Sequence, residues 1–300
     1  NKYRFTHNVE LNLVAAVQTV NNLVDISTVS IKDKEQYDLF WHSSPCQNFS
    51  LAGNNKGGDE GSGTSSSLLY ESIRLIKENT PKIVIWENVK GALAKKHVHN
   101  VEKYKDELSK LGYKHSTEVI SGDDVGWVQP RPRVFIYSYL EAENEITLID
   151  ILKPQYNKVK LEKVIDFSKD SIKIPFETSS VVVRNSKYAR ESFLKKGYDL
   201  ETDNYVYDSG LSPSRPSRAY VGKTPTLLTS KRIAKYSAET KTETLLTARE
   251  YWSLMSFPAD KYDLVNGEIN DVHLYKICGN SVLVLVIKEI LKLNKMLDKF

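Results

Sequence analysis

One cysteine of this chain stands where a reactive thiol would be expected. The sequence of 300 residues has two cysteines, and Cys46 follows Pro45 directly after the apolar-rich stretch "YDLFWHSS". A carboxyl group, Glu87, directly follows a second apolar run, "KIVIW". Ligands of α/β proteins bind beyond the carboxyl ends of the strands, so these two groups can face one crevice. A thiolate there could act as a nucleophile, and the carboxyl group as a proton donor.

The elements that would position these groups alternate between strands and helices. Apolar residues at helical spacing predict two amphipathic helices, one limited by Pro81 and one ending at Gly112. The residues that carry this spacing are Leu69, Ile73 and Ile76 in the first helix and Val101, Tyr104, Leu108 and Leu111 in the second. Buried strands are predicted at residues 37–44, 82–88, 114–121 and 133–140. This alternation predicts an α/β fold with a largely parallel sheet.

Beyond about residue 150 the alternation is lost. Short β-like pieces such as "SSVVVR" and "NYVYD" are separated by Ser, Pro and Gly, which predicts a second, smaller and less regular β-rich domain. The final stretch, "GNSVLVLVIKEILKLNKML", is predicted as a helix preceded by a Gly-Asn turn.

Two surface stretches each leave two interpretations open. Five of the fourteen glycines lie between Gly53 and Gly63, which suits a plain surface loop or a mobile lid. From Gly210 to Ala238 there are six cations and no acidic residue, which suits a solvated loop or a phosphate-binding one. These cations are Arg215, Arg218, Lys223, Lys231, Arg232 and Lys235.

Composition limits the possible functions. The formal net charge of +4 permits a polyanionic partner without requiring one. Two cysteines are too few for a disulfide framework or a structural zinc site, so no metal is expected. No apolar run reaches the roughly 18 residues of a membrane span. These features predict a cytoplasmic protein that has no membrane partner.

Five motifs, in order, resemble those of the cytosine-C5 DNA methyltransferase family. They are "PCQNFS", "WENV", "QPRPRVF", "LLTAREYWSLMSFPADKY" and "KICGNSV", and together they span nearly the whole chain. More weakly, "GSGTSSSLL" and "GYDLETDNYVYD" resemble the short bacterial enzymes that include the mollicute CpG methylases. The resemblance implies the Rossmann-like fold of S-adenosylmethionine-dependent methyltransferases and an enzyme of restriction-modification or phage type.

The resemblance also implies a role for each catalytic residue. Cys46 would add to C6 of cytosine, because C5 alone is too weak a nucleophile to take a methyl group. Glu87, if it keeps its proton, would donate to N3 while Asn88 steadies the turn. Arg133 would hold O2, and Arg131 would favour the thiolate. Val128 and Pro132 depart from the family, which usually has Pro and Glu there, and Pro132 could redirect both arginines.

The implied cofactor is S-adenosylmethionine. The segment "LVDIST" resembles the family's Gly-Asp-Ile segment with Val24 in place of Gly, so Asp25 would bind the adenine amino group and Ile26 the adenine face. Other positions that match this pocket are Pro45, Leu68, Asn280, Ser281 and Val282.

The implied partner is double-stranded DNA in a bacterial cytoplasm, in association with the nucleoid. The cytosine must rotate out of the duplex before a thiol can reach C6. Residues 1–155 with 276–300 would form the catalytic domain, and 156–275 the target-recognition domain and hinge. The residues expected to contact DNA are Ser50, Gln129, Arg215, Arg218, Lys223, Thr226, Lys231 and Arg232.

The beginning of the chain departs from the family. The opening "NKY" resembles residues just after the acidic ribose-binding position, so the glycine-rich first motif and the first strand would be missing. We therefore expect this chain alone to bind cofactor poorly and to transfer little methyl. It would act as a monomer, or be completed by a separate N-terminal chain.

Three alternatives remain at this stage. A tRNA cytosine-C5 methyltransferase would share the chemistry, but the Cys-Phe-Thr signature usual in that group is absent. A truncated DNA-binding remnant would form no covalent adduct with cytosine. A cysteine hydrolase would need His42, His97 or His99 as the partner of Cys46.

Overall fold

The computed structural model describes residues 23, 25–45, 68–168, 170, 172, 179–293 and 295. Cys46, Ser50 and the glycine-rich stretch 53–63 lie outside the described residues. The chain divides into two compact units, residues 1–117 with 134–145 and residues 118–133 with 146–300. The functional domain boundaries drawn at residues 155 and 276 stay a prediction.

The described part of the chain has seven strands and seven α-helices. In chain order they are β1 (Leu39–His42), α1 (Leu69–Asn79), β2 (Ile83–Val89), α2 (Val98–Ser109), β3 (Lys114–Ile120), β4 (Arg133–Tyr139), α3 (Ser180–Lys195), β5 (Tyr205–Asp208), β6 (Ile233–Ser237), β7 (Thr242–Leu245), α4 (Ala248–Leu254), α5 (Ala259–Val265), α6 (Asp271–Asn280) and α7 (Val284–Leu293). Short 3-10 turns lie at Lys90–Leu93, Gly122–Val125, Ala142–Asn144, Leu148–Leu152 and Leu161–Lys163. No described helix is both long enough and apolar enough to cross a membrane.

The four strands predicted before residue 141 are all present, in the order β1-β2-β4-β3. β1 pairs parallel to β2, with Leu39 opposite Ile83 and His42 opposite Trp86. β2 is buried over six of its seven residues, which is what a continuous apolar run produces in a strand covered on both faces. The two strands therefore end side by side.

Both predicted helices of the first unit form at their apolar spacing. In α1 the side chains of Leu69, Ile73 and Ile76 are buried, and the helix ends where Thr80 adopts a left-handed conformation with φ of 44°, next to Pro81. The Tyr104 side chain of α2 is fully buried, with its ring centroid 5.6 Å from that of Trp86. The apolar positions at i, i+3 and i+4 thus fix both helices, but α2 ends at Ser109, so Leu111 and the predicted end at Gly112 lie beyond it.

The second unit contains an antiparallel sheet of order β5-β6-β7. Helix α3 packs against it through Ala189 and Phe193, which share one core cluster with Tyr205 and Tyr236. A larger apolar cluster surrounds α4 and α6.

The segment "SSVVVR" is a correction to the sequence analysis. It was predicted as β-like from its run of β-branched residues, whereas it forms the start of the helix α3. The Ser179 hydroxyl caps this helix by accepting a hydrogen bond of 3.4 Å from the Val182 amide. The buried residues Asn185, Ala189 and Phe193 then recur at helical spacing. Burial along one helix face outweighs the local strand preference of three valines.

The Gly-Asn pair is a second correction. Gly279 and Asn280 are the last two residues of α6 rather than a turn before the final helix. A Cβ atom at position 279 would lie 2.4 Å from the carbonyl carbon of Leu228, so only glycine allows the two backbones to approach.

Candidate active site

The carboxyl group of Glu87 lies beside the residues that lead into Cys46. Because β1 and β2 run parallel with His42 opposite Trp86, the next residues along each strand are Ser43 and Glu87. The Ser43 hydroxyl donates a hydrogen bond of 2.7 Å to Glu87 Oε2. Glu87 is only 6% exposed, so this carboxyl group is largely withdrawn from water.

The next residue, Ser44, is held by two side chains of the β2 motif. Asn88 Nδ2 donates to the Ser44 carbonyl oxygen at 3.0 Å and to its hydroxyl at 3.1 Å. Trp86 Nε1 also donates to the Ser44 hydroxyl at 3.1 Å. Asn88 Oδ1 accepts from the amide of Val89 at 2.9 Å. The "WENV" motif thus fixes the backbone that precedes the half-buried Pro45, and the catalytic steadying role of Asn88 stays a prediction.

The two predicted catalytic arginines have different surroundings in the second unit. The Arg131 side chain is buried, and its guanidinium donates to the carbonyl oxygens of Leu227 at 3.0 Å and Gly279 at 2.7 Å. Arg133 is half-buried, and its Nη1 donates to the carbonyl oxygen of the adjacent Pro132 at 2.9 Å. Arg131 therefore bridges two backbone segments.

Gln129, predicted to contact DNA, is fully buried in this structure. Its Nε2 donates to the Leu254 carbonyl oxygen at 2.8 Å, and its Oε1 accepts from the Leu227 amide at 3.1 Å. Both ends of the amide thus bind protein backbone rather than solvent. The hydroxyl of the half-buried Thr226 donates to the Pro130 carbonyl oxygen at 2.6 Å.

Two predicted cofactor residues of the first unit, the polar Asp25 and the apolar Ile26, are neighbours in the sequence. Asp25 Oδ1 accepts hydrogen bonds from the hydroxyl of Ser27 at 2.7 Å and from its amide at 2.9 Å, and these bonds lower the pKa of the carboxyl group. Ile26 is half-buried, and its carbonyl oxygen accepts from Arg74 at 2.8 Å. An anionic acceptor beside an apolar side chain fits an aminopurine ring. Leu68 is half-buried at the start of α1.

Asn280, Ser281 and Val282, the other predicted cofactor residues, link α6 to α7 in the second unit. Asn280 is exposed, whereas Ser281 is half-buried and donates from its hydroxyl to the Ile277 carbonyl oxygen at 2.7 Å.

The cationic stretch does not act as one charged surface. Arg215, Arg218, Lys223 and Lys231 are exposed, as an anion-binding role requires. Arg232 instead pairs with Asp208 at 2.6 Å. Lys235 is buried and pairs with Glu250 at 2.8 Å.

Sequence reasoning missed this buried pair, although the sequence contains a signal for one partner. Thr247 and Glu250 are spaced as a capping box, in which the Thr247 hydroxyl accepts from the Glu250 amide and the Glu250 carboxylate accepts from the Thr247 amide at 2.7 Å. The same carboxylate accepts from Lys235. The function of this pair is to fix the start of α4 against the sheet strand β6.

The histidine partner that a cysteine hydrolase would need finds no support at His42. Its Nε2 lies 3.0 Å from the Tyr104 hydroxyl, and burial lowers its pKa to about 3, which makes it a weak base. The second cysteine, Cys278, is buried, and burial raises its thiol pKa to about 12. Within the described residues, no group of three or more His, Cys, Asp or Glu side chains is placed to hold a metal ion.

Comparisons with a family profile and with individual relatives agree with each other. The sequence profile of the family described as C-5 cytosine-specific DNA methylase matches residues 15–295. The type II methyltransferase M2.ScrFI of Lactococcus lactis subsp. cremoris is 29% identical over 276 residues, which cover 90% of this chain and 70% of the relative. The orphan methyltransferase M.SssI of Spiroplasma monobiae is 32% identical over 202 residues, which cover 66% of this chain and 52% of the relative.

A solved structure shares the fold. The Dnmt2 methyltransferase of S. pombe superposes with a TM-score of 0.58 at 16% sequence identity, covering 92% of this chain and 84% of that one. The α/β prediction is therefore confirmed at the level of the fold.

Proposed function

This chain belongs to the C-5 cytosine-specific DNA methylase family, and on that premise we propose that it methylates C5 of a cytosine in duplex DNA. The observation that carries the proposal is the hydrogen bond between Ser43 and Glu87, which keeps a buried carboxyl group beside the residues that lead into Cys46. This reaction requires a nucleophile and a proton donor, and Cys46 follows Ser43 by three residues in the sequence.

The reaction begins with attack of the Cys46 thiolate on C6 of an extruded cytosine. A carbon–sulfur bond forms, and the electron pair of the C5–C6 double bond moves through the ring toward N3. Glu87 donates a proton to N3, and Arg133 stabilises the charge at O2. C5 then carries the enamine electron density that takes up the methyl group. Loss of the C5 proton to solvent, return of the N3 proton to the Glu87 carboxylate and departure of the thiolate restore the aromatic ring.

S-adenosylmethionine, when bound, supplies the electrophilic methyl group. Asp25 would accept from the adenine amino group, since its lowered pKa keeps the carboxylate anionic, and Ile26 would cover the ring face. The resemblance also assigns Pro45, Leu68 and the segment Asn280–Val282 to the cofactor. The exposed cations of the second unit would bind backbone phosphates.

Covalent trapping on 5-fluorocytosine tests the proposal, because fluorine at C5 prevents the elimination that would release the enzyme. Duplex DNA that contains this base is incubated with the chain and S-adenosylmethionine and then analysed under denaturing conditions. We expect an adduct that is lost in Cys46→Ser and retained in Cys278→Ala, the matched control with an inert buried thiol. Absence of an adduct from a preparation that methylates ordinary duplex DNA, or an adduct that survives in Cys46→Ser, would contradict the mechanism.

Product analysis separates the substrate classes. Bisulfite sequencing of plasmid DNA from a host that expresses the gene should show methylated cytosines in a defined sequence context. Methyl transfer to tRNA but not to duplex DNA would overturn the assignment of DNA as the substrate.

A further inference from the structure

A pocket of about 420 Å³ lies at the end of helix α3 in the second unit, and its volume is within the range of small-ligand sites. Its lining residues are Lys196, Tyr198, Arg218, Ala219, Tyr220, Val221 and Lys223. We call it the basic–aromatic pocket. Three of these described residues are cations and none is acidic, although acids and bases are nearly balanced over the chain, with 38 and 42 residues.

The cations of this pocket are held in place by contacts that leave donors available. Lys196 Nζ, which has three protons, donates to the Ala219 carbonyl oxygen at 2.8 Å. The Arg218 guanidinium lies 5.1 Å from the centroid of the Tyr220 ring, and its Nε donates to the Tyr220 hydroxyl at 3.1 Å. Ordering a long cationic side chain before the ligand arrives reduces the entropy lost on binding.

Tyr198, an aromatic residue that lines the basic–aromatic pocket, is also held in place. The Tyr198 ring stacks on Phe193, with centroids 5.3 Å apart and an interplanar angle of 21°. Phe193 itself is fully buried in the core between α3 and the three-stranded sheet. Tyr198, which is 37% exposed, is therefore held on a rigid support, and a tyrosine hydroxyl is one of the groups that contact backbone phosphates.

A second basic pocket adjoins the first. It has a volume of about 300 Å³ and shares Val221 and Lys223 with the basic–aromatic pocket. Lys158 lines it together with Asp123, whose carboxylate accepts from the Ser121 hydroxyl at 2.5 Å. Lys223, which follows the left-handed turn residue Gly222 with φ of 70°, is common to both pockets. Two adjacent cationic pockets suit a polyanion with repeated charges better than a single small anion.

We propose that the basic–aromatic pocket binds a backbone phosphate of duplex DNA, with Lys196 and Tyr198 acting together with Arg218 and Lys223. The inference rests on the proposed function, since the family supplies DNA as the polyanion. It adds two residues that the cationic stretch of the sequence does not include. Contacts to phosphate carry no base information, so they would set affinity and register on the duplex rather than the sequence recognised.

The salt dependence of DNA binding tests this inference directly. Equilibrium binding of the full chain to a fluorescent duplex is measured by anisotropy at several KCl concentrations. Each phosphate contact contributes about 0.9 to the slope of log K against log salt. We expect Lys196→Gln, Arg218→Gln and Lys223→Gln each to reduce the magnitude of the slope by about one unit or less, and Lys196→Arg to restore it.

The control is Lys187→Gln on α3, which removes an exposed cation that does not line the pocket and should leave the slope unchanged. Thermal unfolding of each variant identifies changes in folding. Slopes that equal that of the unmodified chain in all three pocket variants, or no measurable duplex binding at low salt, would overturn the inference. So would a slope change seen with a tRNA ligand but not with the duplex. Adduct formation with unchanged slopes refutes the pocket alone, whereas altered slopes without any adduct refute the proposed chemistry alone.

Discussion

The side chains of Arg131 and Gln129 hydrogen-bond to the two backbone groups of Leu227, its carbonyl oxygen and its amide. Arg131 Nη1 donates to the Leu227 carbonyl oxygen at 3.0 Å, and Gln129 Oε1 accepts from the Leu227 amide at 3.1 Å. The Thr224 amide likewise donates to the Val128 carbonyl oxygen at 2.9 Å. The "QPR" motif therefore fixes the path of the segment 224–227, in which the resemblance places target recognition.

Substitutions of the two arginines of this motif should have different effects on stability and on methyl transfer. Arg131→Lys removes a guanidinium that bridges two buried carbonyl oxygens, so we expect a loss of about 1–3 kcal/mol in the free energy of unfolding. Arg133→Lys keeps a cation on a half-buried side chain, so we expect a smaller loss of this free energy than for Arg131→Lys, together with slower methyl transfer. Urea unfolding and single-turnover methylation measure the two quantities. Equal losses of stability in both variants would show that the hydrogen bonds of Arg131 to Leu227 and Gly279 do not stabilise the fold as predicted.

The hydrogen bond between Ser43 and Glu87 should affect rate more than stability. Ser43→Ala removes one donor to the carboxyl group from an exposed residue, and a net value of about 1 kcal/mol corresponds to a methyl transfer roughly five-fold slower. Glu87→Gln should cost more, about 100- to 10,000-fold, because it removes the proton donor to N3. Single-turnover rates at saturating DNA and cofactor provide the measurement. A Glu87→Gln variant with the full rate would exclude proton donation by this residue.

The buried pair Lys235–Glu250 should be more important to stability than the exposed pair Arg249–Asp263. Lys235→Met leaves the Glu250 carboxylate without its buried cationic partner, with an expected loss of about 3–5 kcal/mol. The double variant Lys235→Met/Glu250→Gln should recover part of this loss. Arg249→Gln, in a pair with both side chains about half-exposed, should cost less than about 1 kcal/mol. Chemical unfolding of the four proteins measures each value, and similar losses in Lys235→Met and Arg249→Gln would contradict the prediction.

Acid should destabilise the fold through His42. Its pKa falls from 6.5 to about 3 on burial, so the unfolded chain binds the extra proton between these two values. Stability is therefore lost as the pH falls below about 6.5, and this residue contributes a loss of about 2 kcal/mol between pH 7 and pH 5. His42→Phe, which cannot be protonated, should reduce the pH dependence of unfolding by that amount, even if its stability at pH 7 is lower. Identical pH dependence in the two proteins would show that His42 is already solvated.

The first unit could be predicted from the sequence because local pattern and burial agree there. The run "IVIW" is a strand by composition and also lies buried in the sheet, and Leu69, Ile73 and Ile76 form one face of α1. The proximity of Ser43 to Glu87 follows from two adjacent parallel strands.

Other features depended on contacts that no local pattern encodes. The valines of α3 favour a strand, but burial of Asn185, Ala189 and Phe193 on one face selects a helix. Lysine is usually a surface residue, and the burial of Lys235 is compensated by the Glu250 carboxylate of α4 together with the Asp166 carbonyl oxygen. Gln129 and Arg131 belong to a motif typical of an active site. Their hydrogen-bond partners are backbone groups of Leu227, about a hundred residues away in the sequence.

The hydrogen bonds that hold Leu227 have a consequence for protein engineering. Three of the four bonds between 128–131 and 224–227 use main-chain atoms of the later segment, and Gly279 allows close approach to the main chain at Leu228 and Thr229. These main-chain bonds do not depend on side-chain identity, although the side chains of Thr224 and Leu227 are buried. If this segment carries target recognition, we expect a loop from a relative to be accepted here when it keeps this main-chain trace and small or apolar side chains at positions 224 and 227.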